Sequence, residues 1–353
     1  MGKRVQKSQH SPLYYFGRTL YRMLVVLSAV VVVLYCAFHF AKKKPSFAPP
    51  EPASSAVQPS RAPLPGGNSG QADGPDDTPA PSLVRKDSTW TFLLAASDAT
   101  SGNADTIMVG MYDTINQKVG LISIPRDTIY DGTAPDGSHF RKINSAYAYY
   151  GADGLKDAVS QMLGIPIDHY VTVGVRGFQS LVNAVDGIDF NIPVYMDYDD
   201  PTQDLHIHYS PGMRHLNGQQ AMEVARFRHN NTGKTQVAYS DIQRTQTQQE
   251  MLKLIAKKVL SNPQKIGQYI EIFSQYVKTD LELSEMLWFV EPAMGFDLDN
   301  ISNATLPGDS TVTYKGWTYC HQLDREKTLE IINEMVNPYT TPVTLEMTNM
   351  PQK

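Results

Sequence analysis

Residues 23–41 carry no charge and are almost wholly apolar, with Arg22 before them and Lys42, Lys43 and Lys44 after. At about 1.5 Å of rise per residue, a helix of this length nearly crosses a hydrocarbon core of about 30 Å. A cleaved leader is the competing reading. The run is longer than the apolar region of a usual signal peptide, however, and ends in three lysines rather than small residues. The sequence therefore predicts a transmembrane helix over 23–41, working as an uncleaved signal-anchor. The heavier basic flank precedes it, which predicts a cytoplasmic tail at 1–22 and an extracellular remainder. Residues 42–85 are dense in Pro, Ser, Ala and Gly without a hydrophobic period, so they are expected to be a flexible extracellular linker. Whatever folds is thereby confined to 86–339, with a short tail at 340–353.

Charge sharpens this division. Residues 1–44 hold eight Lys and Arg and no acid, so a net charge of −5 for the whole chain leaves −13 for the remainder. An acidic body argues against nucleic acid as the main partner, because duplex binding rests on a basic face. Cys36 and Cys320 imply no disulfide framework.

Within the predicted domain, strands are expected at 90–96, 106–112, 118–124, 169–175 and 188–193, the second and third joined as a hairpin. Helices are expected at 143–150, 154–163, 176–185, 218–226, 241–260, 284–294 and 322–336. Mixed strands and helices with hairpins among them favour an α/β fold, a three-layer α-β-α sandwich on a mixed, largely antiparallel sheet.

The run Leu121-Ile-Ser-Ile-Pro-Arg-Asp127 reads as a buried strand that ends at Pro125 and delivers Arg126 and Asp127 to a sheet edge. Arginine suits phosphate because its planar fork keeps its charge and offers parallel donors. A solvated strand-end ion pair is the plainer alternative. Asp98 follows the first strand and Asp105 opens the second, so neighbouring strands would bring both to that edge. There they could hold a magnesium ion, or simply serve as turn formers. Arg226 and Arg228 flank Phe227 after a helix, and Asp241, Arg244 and Gln248 share a face of the next one. That face fits the wall of an anion site or a solvated stripe. His206 and His208 share a strand face, and with His215 they have the makings of a zinc set, but no outer-shell partner is legible. Tyr147, Tyr149 and Tyr150 read as core or groove lining.

Taken together, Asp98, Asp105-Thr106, Ser123-Ile-Pro-Arg-Asp127, Lys142-Ile-Asn-Ser-Ala-Tyr147, Gly164-Ile-Pro-Ile-Asp-His-Tyr170, Gly187-Ile-Asp189, Leu216-Asn-Gly218, Arg226-Phe-Arg228 and Asp241-x-x-Arg244-x-x-x-Gln248 resemble the LytR-CpsA-Psr (LCP) proteins over roughly residues 90–260. The resemblance implies a cell-wall biogenesis transferase of mostly Gram-positive bacteria. Such an enzyme moves a glycopolymer of teichoic acid or capsule type from an undecaprenyl pyrophosphate carrier onto peptidoglycan, and a groove in its sandwich holds the polyprenyl chain. It further implies that Asp98 and Asp105 bind Mg2+. Arg126, Arg226, Arg228, Arg244 and Gln248 would be the catalytic set holding the pyrophosphate, with Asp127 and Asp241 as substrate-binding residues. Hydrolysis of the carrier pyrophosphate is an expected side activity.

Departures from the family pattern bear on activity. Thr100 and Asn103 stand where arginines are common, and Thr247 where Arg or Lys is common. Each lost cation removes one to three kcal/mol, roughly, of charge-assisted binding. A non-catalytic polyprenyl-phosphate or glycan-binding homologue with a regulatory role is therefore the alternative reading. The sequence assigns no task to 261–353.

Overall fold

A computed structural model describes residues 42–48, 83–97, 102–293 and 296–351. The membrane span expected at 23–41, and Asp98 and Thr100, lie outside these residues. Among the described residues, no helix is long and apolar enough to cross a membrane. Contacts group the chain into two units, one of Ser46–Leu281 with Pro292–Lys353 and one of Met1–Pro45 with Glu282–Glu291. In the second, Lys43 Nζ lies 3.3 Å from Glu282 and 3.4 Å from Glu285.

The first unit is a mixed α/β fold around a six-stranded mixed sheet. Strands β1 (Thr89–Ser97), β2 (Ala104–Asp113) and β3 (Lys118–Ser123) form an antiparallel meander, as their apolar runs and the short 114–117 turn predict. Two short hairpin strands follow, β4 (Ile129–Thr133) and β5 (His139–Lys142). Helix α1 (Ser145–Leu163) then leads to β6 (His169–Gly174), which runs parallel to β1. Two helices expected at 143–150 and 154–163 prove continuous except at Gly151, whose φ of 69° breaks the helix between them. Gly164, also left-handed, caps its end.

Helix α2 (Val175–Ala184) and strand β7 (Ile188–Ile192) match expectation. Next come the hairpin β8 (Met196–Asp200) and β9 (Leu205–Tyr209), and β10 (Gly212–Leu216), which pairs with β7. Helices α3 (Gly218–Arg226) and α4 (Asp241–Leu260) begin in capping boxes, Asn217 with Gln220 and Ser240 with Gln243. Helix α5 (Ile266–Tyr276) ends in β11 (Val277–Thr279), and α6 spans Leu283–Ala293.

The last segment finishes the sheet. Strand β12 (Ile301–Thr305) lies parallel to β3 and β11 antiparallel to β6, giving the order β11-β6-β1-β2-β3-β12. Strands β13 (Gly308–Tyr314) and β14 (Trp317–Leu323) make a hairpin, and α7 (Arg325–Ile331) continues as a π-helical turn through Val336. A helix expected from 322 thus starts later, because Cys320, His321 and Leu323 are already committed as strand and Asp324 caps the helix. Gly120 makes this closure possible, since a Cβ there would sit 1.9 Å from the Met335 carbonyl oxygen.

Two hydrophobic clusters hold the unit. One joins β1–β3 to α1 and residues 323–350, and the other gathers α2, β7–β10, α3, α4 and α5. Residues 46–48 are tied to the fold as well. Phe47 packs on Trp90 at 5.1 Å between ring centroids, and Ala48 N–H donates to Asp168 at 2.8 Å.

Candidate functional site

The register fixes where charges gather. Ser97 at the end of β1 pairs with Ala104 at the start of β2, Met108 of β2 pairs with Ser123 at the end of β3, and Gly174 closes β6 beside Ser97. One rim of the sheet therefore receives the carboxyl ends of β1, β3, β6 and β12, the rim at which open α/β sheets place ligands.

Asp105 stands on this rim, and two guanidinium groups from distant parts of the chain converge on it. Arg126 Nη1 is 2.6 Å from Asp105 Oδ1, and Arg228 Nη2 is 3.7 Å from the same oxygen. The turn after β3 presents Arg126 because Thr128 N–H donates to the Pro125 carbonyl at 2.9 Å, and Asn144 N–H donates to the Arg126 carbonyl at 3.2 Å. Asp127, expected to be a substrate-binding residue, lies 3.4 Å from Arg126 Nε but closer to Lys142 Nζ, at 3.0 Å. Lys142 was legible only as part of a motif, not as a site residue. Its contact brings three cations and two carboxylates to one patch.

Gln248 reaches the same rim from α4. Thr106 Oγ1 donates to Gln248 Oε1 at 3.1 Å, and Gln248 Nε2 donates to the Ala225 carbonyl at 3.0 Å. It ties β2 to the end of α3, just where Arg226 and Arg228 emerge. The next residue of α4, Gln249, donates from Nε2 to Ser123 Oγ at 2.8 Å, bracing the end of β3. Arg244, on the same helix, is buried at 5 % exposure, and Asp241 is the first residue of α4. Thr247 is buried and bonds Tyr239 Oη at 2.8 Å. Burial pushes the Tyr239 phenol up from its ordinary value, so this pair is a neutral hydrogen bond in the floor.

Arg226 faces elsewhere. Its Nη2 donates to Gln203 Oε1 in the turn between β8 and β9, and it lines a cavity of about 990 Å³. Tyr147, Arg176, Gln179 and Lys278 line the same cavity, so Tyr147 belongs to a cavity wall, whereas Tyr149 and Tyr150 are exposed. Arg176 and Lys278 add cations that no sequence motif announced. A smaller hollow of about 510 Å³ beside Lys253 and Phe296 contains none of the expected site residues.

For a magnesium ion, the donor chemistry at the rim fits in part. Asp105 offers hard carboxylate oxygen, the ligand type this cation prefers, and is half-buried beside open rim. Its partner Asp98 lies outside the described residues.

His215 does not join His206 and His208. It pairs with Asp189 of β7 at 2.8 Å, while the other two face Asp199 and Asp197 across the β8–β9 hairpin.

Comparison with known proteins places these features in context. Residues 68–337 match the model of the LytR_cpsA_psr family. The teichoic acid transferase TagV of Bacillus subtilis, named as acting between polyisoprenyl-teichoic acid and peptidoglycan, is 31% identical over 234 residues, covering 65% of this chain and 58% of that protein. TagU of Bacillus anthracis, with the same named activity, is 29% identical over 249 residues, covering 69% of this chain and 77% of its own length. The crystal structure of B. subtilis TagV superposes with a TM-score of 0.58 at 30% identity, over 70% of this chain and 95% of that one. The chain thus spans less than two thirds of the TagV sequence.

Proposed function

The chain belongs to the LytR_cpsA_psr family, and from that premise we propose that it is a membrane-anchored phosphotransferase attaching a polyprenyl-pyrophosphate-linked glycopolymer to peptidoglycan. The observation that carries this reading is the convergence of Arg126 and Arg228 on Asp105 at the sheet rim. In phosphoryl transfer the chemistry is mostly positioning and neutralising charge that moves to the leaving group. Here the acceptor sugar hydroxyl attacks the glycopolymer-bearing phosphorus, the bond to the bridging oxygen breaks, and the polyprenyl phosphate leaves. The product is a phosphodiester.

Arg126 and Arg228 bind the pyrophosphate from two sides, and Gln248 keeps the end of α3 in register with β2. Arg226 and Arg244 extend the positive field, and Asp127 with Lys142 holds the turn that carries Arg126. Asp241, the first residue of α4, is the further substrate-binding residue of this reading. A magnesium ion held by Asp98 and Asp105 would supply further charge neutralisation at the phosphates. Where water takes the place of the sugar hydroxyl, the same site hydrolyses the carrier pyrophosphate. The finer description of the fold over 86–339 as a three-layer α-β-α sandwich is supported by the packing of α1 on β1–β3 and by Gln249 of α4, which bonds Ser123 of β3 and the Ala304 carbonyl of β12. A helix at 23–41 anchors it in the cell membrane, with 1–22 cytoplasmic, 42–85 the linker, 340–353 a tail and the catalytic domain extracellular.

The test is polymer transfer and phosphate release from a polyprenyl-pyrophosphate substrate by full-length protein in detergent, with and without magnesium. Metal-dependent turnover that falls steeply in Arg126→Ala supports the proposal. Asn103 in place of a cation favours the second reading, a binding homologue; an inert parent that binds the lipid, less tightly after Arg126→Ala, would establish it.

A further inference from the structure

We propose that the β8–β9 hairpin carries a site for one divalent transition-metal ion of the zinc class, with Asp199, His206 and His208 as ligands. The inference is independent of the transfer reaction. It begins with register. In the antiparallel ladder Asp199 stands opposite His206 and Asp197 opposite His208, so all four side chains share one face. The other face carries Met196, Leu205, Ile207 and Tyr209, all buried, which prevents a one-residue slip that would turn the polar square inward.

One ligand atom from each of Asp199, His206 and His208 lies within 4.8 Å of the others. His206 Nδ1 is 2.6 Å from Asp199 Oδ1, and His208 Nε2 is 3.2 Å from the same oxygen. Two imidazoles converging on one carboxylate oxygen are the donors that a borderline-soft ion takes, with a fourth position left to water; magnesium and calcium prefer oxygen alone.

One remaining ring nitrogen is already provided for: His208 Nδ1 lies 3.0 Å from Asp197 Oδ1, whereas His206 Nε2 has only the exposed Asp204 carboxylate nearby, at 3.7 Å and beyond hydrogen-bond reach. Carboxylates behind metal-bound histidines fix the tautomer and raise ligand basicity. Asp197 is suited to that outer role rather than to ligation, because Lys234 Nζ at 3.1 Å and Tyr195 Oη at 3.2 Å already neutralise it. The platform is also held from behind. Asp197 N–H donates to Asn230 Oδ1 and Asp199 N–H to Asn231 Oδ1, both at 2.6 Å. His206 and His208 side chains are each 54% exposed, so an ion can reach them. It would brace the adjoining turn, whose Gln203 accepts from Arg226.

The experiment is isothermal titration of untagged, chelator-stripped full-length protein with ZnCl2, in buffer containing excess MgCl2, alongside visible absorption with CoCl2. One zinc per chain is expected, with cobalt d–d bands. Affinity should fall at least about tenfold in His206→Ala and in His208→Ala, and stay unchanged in His215→Ala. The two loss variants alter exposed side chains, and an unchanged melting temperature without metal will show that they fold. Absence of zinc binding by the parent, or binding that survives both substitutions, overturns the proposal.

Discussion

Arg126 and Asp105 lie twenty-one residues apart in the chain and meet at 2.6 Å, one just past the end of β3 and the other near the start of β2. The antiparallel pairing of these strands creates the meeting, since it returns the end of β3 to the side from which β2 departs. Arg228 approaches the same carboxylate from the end of α3, so Asp105 organises two cations before any substrate arrives.

Replacing Arg126 with Ala should lower transfer kcat/KM by roughly 10- to 100-fold, the equivalent of losing one or more charge-assisted hydrogen bonds of about 1.5–3 kcal/mol. Arg126→Lys should recover only part of this, because it restores charge without the planar fork. Steady-state kinetics of the two variants checks the order; equal activity of Lys and Arg variants would show that point charge alone suffices.

Asp168 has no exposed side-chain surface and is held by Arg85, by Thr91 through both its N–H and Oγ1, and by Ala48 N–H. Asp168→Ala leaves a buried guanidinium and several donors without their acceptor, at about 3–5 kcal/mol. With about 2–4 °C of melting temperature per kcal/mol in a domain of this size, a fall of roughly 10 °C is expected by calorimetry. A shift below about 2 °C would mean that water or another acceptor takes over.

Asp280 offers a pH prediction. Burial works to raise its carboxyl, but hydrogen bonds from His169 and Tyr170 N–H and the charge of Lys156 outweigh it, lowering the value from 3.8 to about 2. A depressed folded value means that its stabilisation is complete above the unfolded value and is lost as pH falls from about 4 through about 2. Asp280→Asn should therefore flatten the acid limb of the stability curve in that window and lower stability at neutral pH. Urea midpoints between pH 2 and 7 measure both.

Gly218 starts α3 against α2, where a Cβ would fall 2.2 Å from the Gln179 carbonyl oxygen. Gly218→Ala must push α3 away, at a cost of about 1–3 kcal/mol, and with it the Arg226–Arg228 segment. We expect a lower urea midpoint accompanied by weaker carrier binding. A lower midpoint with unchanged binding would show that the arginines are positioned from α4 instead.

Much of this organisation was legible because local signals agreed with it. The meander from Trp90 to Ser123 is built of short apolar runs bounded by polar turns, and capping residues Asn217 and Ser240 mark α3 and α4 to the residue. The rim residues were legible as strand-end charges, but their mutual distances were not, because Asp105 and Arg228 are joined by tertiary packing that no spacing encodes. Lys142 was hidden for the same reason. Strand β9 was legible in its alternating histidines, but β8 and its pairing escaped notice since it is five residues long and unusually charged, with Asp197 and Asp199 opposite the two histidines. His215 misled through proximity in sequence: β10 returns to β7 and carries it to Asp189.

The sheet order sets a schedule for biosynthesis. Its outer strands, β11 and β12, lie at 277–279 and 301–305, and Lys86 N–H donates to Pro338 O at 2.8 Å. A nascent chain that has reached only α4 has made β1, β2, β3 and β6 but has nothing to cover either flank. Its open strand edges are then free to mispair, and closing them late requires pairings between residues as far apart as Val173 and Val277 on one flank and Val119 and Ile301 on the other. The sheet therefore reaches its finished form only after β12 and the residues around Pro338 have been synthesised.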